Sequence, residues 1–122
     1  MHTQRYEILE YVKEKYGTEP DYLFEKDPGH AILRHPEKKG KRKWYGLILD
    51  VPWKALHIQK DGYVDILNVK ASPDMVEFLK HQDGFLPAYH MNKNHWISIV
   101  LDDVVPFDII MKCLDESYYL TK

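Results

Sequence analysis

An α+β domain, with an N-terminal, a middle and a C-terminal helix packed on one antiparallel sheet, is what three features of this chain predict. A helical apolar stripe runs from Thr3 to about Tyr16, and a second follows Pro106. Between about Tyr22 and Lys70, short β-rich runs alternate with turn chemistry at Asp27-Pro28-Gly29, Lys39-Gly40 and Asp61-Gly62. With 122 residues the chain fits a single domain, 1–122, able to bury one hydrophobic core without disulfides or metals.

Thr3 is a suitable N-cap for the first helix, in which Ile8, Leu9, Val12 and Tyr16 recur at spacings of three and four, and Gly17 supplies the stop. The meander that follows has expected strands at about Tyr22–Glu25, His30–His35, Lys43–Asp50 and Tyr63–Lys70. Trp44-Tyr-Gly-Leu-Ile-Leu49 is apolar on both faces, which predicts an interior strand covered on each side. Pro52 lacks a ladder donor, so a bend or short helical turn is expected after it. Ser72-Pro73 reads as an N-cap and first helical position opening a helix to about Gln82, with Met75, Val76 and Leu79 inward. A last hairpin is expected to turn at Asn92–Asn94 and feed a strand His95–Leu101, in which Ile97, Ile99 and Leu101 share the core face. Pro106 opens the final helix, with Phe107, Ile110, Met111, Leu114 and Tyr118 inward.

Composition narrows the function classes. A lone cysteine, Cys113, forms no internal disulfide and fits a reducing cytoplasm. Charges at Arg5, Glu7, Glu10, Lys13 and Glu14 interrupt any signal-peptide core, and no run approaches the ~18 apolar residues of a membrane span. The expectation is a cytoplasmic protein without membrane contact. Net charge is −2, yet the stretch Glu37–Lys43 alone carries +4, which leaves −6 for the rest. Any attraction to phosphate is therefore local.

The densest signature is Phe85-Leu-Pro-Ala-Tyr-His-Met-Asn-Lys-Asn-His-Trp96, joined by Gly46-Leu-Ile-Leu-Asp50 and Asp115-Glu-Ser-Tyr118. On these residues the chain resembles the YjbR/MmcQ family of small bacterial proteins, whose pattern of an Asn-Lys pair, a variable residue and then His-Trp is met by Asn92, Lys93, His95 and Trp96. The resemblance implies a YjbR-like fold, sometimes described as double-winged and similar to DNA-binding proteins, and with it a DNA-binding activity by analogy of shape. The same fold is similar to secretion-chaperone-like domains, which implies the alternative of a protein-binding adaptor. No catalytic residues are implied.

The residues themselves offer two candidate sites. Lys38, Lys39, Lys41, Arg42 and Lys43 sit on a predicted hairpin tip that, with Lys93, would track a phosphate backbone; the plain alternative is a solvated turn whose lysines protect a sheet edge. Tyr89, His90, Asn92, Lys93, His95 and Trp96 form a polar and aromatic cluster without an assigned role. A metal there is disfavoured, because a three-residue turn sets His90 and His95 on opposite faces and only a four-residue loop pairs them. Turn capping by Asn92 and Asn94 is the better reading. Cys113 reads as core packing, Ser117 as helix-surface or C-terminal packing, and Asp102-Asp103 as turn and helix-start chemistry. Phosphate-binding glycine loops are absent and no catalytic motif is found, so no cofactor and no enzyme is expected; a catalytic or small-ligand cleft around Tyr89, His90, Asn92, Lys93 and His95 ranks last. Tyr89, Trp96, Tyr118 and Tyr119 are a possible aromatic groove. The expected function is weak, electrostatic DNA binding by a monomer or weak homodimer, with the protein-interaction adaptor as the alternative.

Overall fold

Thr3 opens helix α1, Gln4–Tyr16, by accepting the Tyr6 amide on its hydroxyl, and Gly17 closes it in the left-handed conformation at φ 66°. The computed structural model describes residues 3–22, 29–36 and 42–122. Strands β1 (Ala31–Arg34), β2 (Trp44–Pro52), β3 (Tyr63–Lys70), β4 (Phe85–Pro87) and β5 (Trp96–Val100) form one antiparallel sheet in the order β1-β2-β3-β5-β4. Helix α2 spans Pro73–Leu79, α3 spans Phe107–Leu120, and a 3-10 turn covers Trp53–Leu56. The α+β class and its three helices are as expected. The expected strand Tyr22–Glu25 falls mostly outside the described residues; just before it, Asp21 bridges Ile32 on the β1 edge.

All three helices lie on one face of the sheet. Ile8 and Val12 from α1, Val76 and Leu79 from α2, and Ile110 and Leu114 from α3 share a core with Leu33, Ile48, Leu67, Val69, Ile97 and Ile99. The other face carries Ile32, Leu47, Leu49, Val51, Val64, Ile66 and Val100, partly covered by Trp44, Trp53, Leu56, Leu86 and Tyr89. This double cover is why β2 reads as apolar throughout. The centre of the sheet, however, is β3.

Several expectations need correction. α2 stops at Leu79 rather than Gln82, and Met75 points outward with 47% exposure, because it shares the side of the helix that bears Phe78 while Val76 and Leu79 take the core face. β2 runs to Pro52, facing Tyr63, rather than ending at Asp50, and the short helical turn expected after Pro52 follows as Trp53–Leu56. Pro106 caps α3 with extended backbone instead of occupying its first turn. The last hairpin does not turn tightly at Asn92–Asn94: β4 ends at Pro87, β5 begins at Trp96, and residues 88–95 form a loop.

Ser117 is the most consequential correction. The β1–β2 register shifts between Leu33, facing Gly46, and Arg34, facing Trp44, so Tyr45 is the extra residue of a bulge. Its ring thereby joins the helical face. Gly46 beside it leaves room for Leu33, since a Cβ there would come within 2.9 Å of Leu33 Cδ1 and force that side chain to shift. The β2–β3 ladder ends at Gly46–Val69. Beyond it the fully buried Ser117 takes over: its hydroxyl accepts the Lys70 amide at 2.9 Å and donates to the Tyr45 carbonyl at 2.6 Å. Ser117→Ala leaves both backbone groups unpartnered, which should cost about 1–3 kcal/mol of unfolding free energy in urea titration.

Candidate functional site

Antiparallel connectivity delivers the two segments singled out by the sequence to one end of the sheet. β1 ends there, β2 begins, β3 ends and β5 begins, so residues 35–43 and 88–95 both connect strands at that end. The last turns of α3 arrive there too, through the Ser117 contacts with Tyr45 and Lys70. Asp50, Asp61, Asp65, Asp83, Asp102 and Asp103 belong to the opposite end, by the same topology. Arg5, Lys54 and Lys60 offset them in part; Arg5 pairs with Asp65 at 2.8 Å.

Of the basic hairpin, Lys38, Lys39 and Lys41 lie outside the described residues. Arg42 and Lys43 are exposed. Asp21 binds Arg34 at 2.6 Å and reaches Arg42 only at 3.5 Å, so a single carboxylate serves two guanidinium groups. The hairpin base is held by His35, whose amide donates to the Lys43 carbonyl at 2.9 Å. The His35 ring is buried, with Nε2 at 2.7 Å from Thr121 Oγ1. Since that hydroxyl donates to the Ser117 carbonyl, Nε2 carries the proton and donates to it. Burial depresses the His35 pKa; a backbone hydrogen bond with Tyr118 opposes this, and the charges of Lys122 and Lys43 reinforce it. Lys122 lies over the rings of Tyr119 and Tyr118, at 4.7 and 5.6 Å.

The loop 88–95 is fixed by polar groups buried in the middle of the sheet. Asn68 and Ser98 face each other across β3 and β5, both fully buried. Asn68 Nδ2 donates to the Tyr89 carbonyl and Ser98 Oγ accepts the Tyr89 amide, each at 2.9 Å, while the Ser98 hydroxyl donates to Asn68 Oδ1. Lys93 folds back to donate to the Ala88 carbonyl at 2.9 Å. Asn92 caps the turn, accepting the Asn94 amide at 2.8 Å, as its turn chemistry implied. His90 takes a left-handed φ of 58° and its ring lies 3.9 Å from that of Tyr89. His90, Asn92, Lys93 and His95 are exposed, and Tyr89 and Trp96 are half-buried. Neither histidine pairing considered for a hairpin applies to this longer loop. Among the described residues no group of three His, Cys, Asp or Glu side chains is placed to hold a metal.

The expected aromatic groove is not formed. Tyr89 packs on the face remote from the helices, while Tyr118 stacks on Tyr16 at 3.8 Å on the helical face, because α3 and the 88–95 loop pack against opposite sides of the sheet. Asp115, part of the third signature segment, clamps α1 to α3 by accepting Tyr16 at 2.5 Å and Tyr11 and Lys15 at 2.9 Å. Partial burial would raise its pKa, yet the bonds from Tyr16, Lys15 and Tyr11 hold the carboxyl below its usual value. Burial pushes the Cys113 thiol up to about 11, consistent with packing rather than nucleophilic chemistry. Sequence reasoning missed Lys70, Asn68, Ser98 and Lys122. The signal for the middle pair was a lone polar residue within each apolar run, Ile66-Leu67-Asn68-Val69 and Ile97-Ser98-Ile99.

A model of the YjbR family matches residues 13–120, nearly the whole described fold. The chain belongs to the YjbR family. It is 47% identical to the uncharacterised protein YyaQ of Bacillus subtilis over 118 residues, covering 97% of this chain and 98% of that one. The uncharacterised YjbR of Escherichia coli is 36% identical over 77 residues, 54% of this chain and 65% of its relative. A crystal structure of a Pseudomonas syringae protein superposes over the full length of both chains with a TM-score of 0.90 at 36% identity. A Deinococcus radiodurans protein with a DUF419 domain shares the fold, with a TM-score of 0.74 at 24% identity over 97% of this chain and 78% of its own. The resemblance drawn from the signature segments is therefore correct as to family and fold.

Two outcomes follow for this YjbR-family site. Asn68→Ala removes the group that pins Tyr89, and should lower stability by about 1–3 kcal/mol while speeding amide exchange across the 88–95 loop in exchange mass spectrometry. His35 is kept neutral by the fold, so its contribution is complete above the unfolded value near ~6.5 and is lost as pH falls from there towards the depressed folded value. Denaturation midpoints should decline over that window, and His35→Gln should flatten the decline.

Proposed function

We propose that this YjbR-family protein binds nucleic acid weakly and without base readout, by phosphate contacts at the basic end of its sheet. The observation that carries the reading is the separation of charge along the strands. One end gathers Arg42, Lys43, Lys70 and Lys122, with Lys38, Lys39 and Lys41 in the sequence between Pro36 and Arg42, while Asp50, Asp61, Asp65, Asp83, Asp102 and Asp103 lie towards the other end. A polyanion experiences this field as an attractive patch on a chain whose net charge is −2. Residues 88–95 connect strands at that same end. Lys93 has the lesser part, since its ammonium is already engaged by the Ala88 carbonyl.

One observation favours the adaptor alternative. Met75 and Phe78, three residues apart on α2, are 47% and 60% exposed, which suits a hydrophobic contact with another chain.

Fluorescence anisotropy with a labelled random duplex separates the two readings. With about four or five phosphate contacts, log affinity should fall with log salt at a slope of about −4. Replacing Lys39, Lys41 and Arg42 together by Glu should abolish binding at near-physiological salt. Unchanged affinity in that variant, or no binding to duplex or single strand even at low salt, removes the phosphate reading and leaves the adaptor.

A further inference from the structure

The sheet face away from the helices ends, at the basic end, in a row of cations and aromatic rings. Arg34 faces Trp44 across β1 and β2, and Lys70 faces Trp96 across β3 and β5. Alternation places Lys70 and Trp96 on the same face as the buried Asn68 and Ser98, and Trp44 packs against the apolar cluster of that face. All four side chains are half-buried. No helix packs there, since α1, α2 and α3 belong to the opposite core, and the 3-10 turn that carries Trp53 lies towards the acidic end.

The charges in this row are not equivalent. Arg34 is paired with Asp21 at 2.6 Å. Lys70 has no hydrogen-bonding or ion-pair partner for its ammonium among the described residues. It stands on the strand between those bearing Trp44 and Trp96, and two interstrand steps set those outer strands roughly 10 Å apart. Beyond Trp96, the Tyr89 and His90 rings are held in contact by the loop that Asn68 and Ser98 pin to this same face. A lysine on the strand between two that carry indoles suits a strand whose phosphates and bases alternate.

We propose that the preferred ligand of the basic end is single-stranded nucleic acid, its bases stacked on Trp44 and Trp96 and the intervening phosphate on Lys70. This rests on the phosphate-binding reading above and deepens it. Bases in a duplex present no free π-face, so stacking discriminates by strandedness and not by sequence.

The test compares labelled oligothymidylate with a duplex of equal length at low salt, reading anisotropy and intrinsic tryptophan fluorescence. The expected result is binding at least about tenfold tighter to the single strand, with tryptophan quenching that the duplex does not cause. Trp96→Leu should remove most of that advantage and leave duplex affinity unchanged. Trp53→Phe should retain the quenching, because Trp53 lies away from the row under Lys60, at 4.5 Å. Should Trp96→Leu fail to fold, the wild-type comparison and Lys70→Gln, with its expected loss of single-strand affinity, still decide. Equal affinity for both ligands without quenching overturns the stacking row and leaves the phosphate reading intact. No binding to either ligand overturns both.

Discussion

The fold turns on one buried hydroxyl. Between β2 and β3 the ladder stops at Gly46–Val69, and without a substitute the Tyr45 carbonyl and Lys70 amide would be buried and unpaired. Ser117 supplies both partners from α3. The bulge that creates this need also sends the Tyr45 ring to the helical face, where its hydroxyl donates to Thr18 at 2.6 Å and its edge meets the Tyr118 ring. From there the contacts spread to both flanking elements: Tyr16 on α1 stacks on Tyr118, and His35 at the foot of the basic hairpin donates to Thr121. A serine read from the sequence as helix-surface or C-terminal packing is instead the point where sheet, first helix and last helix are tied together.

How legible this was depended on the range of the determining interaction. Helix ends at Thr3, Gly17 and Ser72, and the strand Tyr63–Lys70, follow from local capping and alternation, and those readings agree with the structure. The hairpin near Asn92–Asn94 misled because its chemistry is genuine but not decisive: Asn92 does cap a turn. What sets the strand ends is that Ser98 and Asn68 claim the Tyr89 amide and carbonyl, groups that would otherwise extend the β4–β5 ladder. That competition involves residues 9 and 21 positions away. No local pattern reports it. Met75 shows the reverse limit: helical spacing joins it to the exposed Phe78 as well as to Leu79, and the face that reaches the core is the one bearing Val76 and Leu79.

The candidate site was half legible for a related reason. Charge runs are visible in a sequence, and the +4 stretch at Glu37–Lys43 was. What remains invisible is which distant charges share an end of the sheet with it. Lys70 lies in a strand that reads as core, and Lys122 follows the last helix; only the topology brings them to the same end as the hairpin. A pI near 6.4 averages over this polarity and conceals it.

Polar groups buried beneath an otherwise apolar sheet carry an energetic cost that apolar residues of similar shape would not. Asn68 and Ser98 offset theirs by bonding each other and Tyr89, and no charged group is involved. The result is a loop whose backbone is held before any ligand arrives, with Lys93 closing it on itself and Asn92 capping its turn. Ser117, Thr121 and His35 do the same for the base of the neighbouring hairpin. Weak ligands gain most from such preparation, because a loop ordered in advance has little conformational entropy left to lose on contact. The buried polar groups at this end of the sheet are therefore best understood as supports for the surface above them.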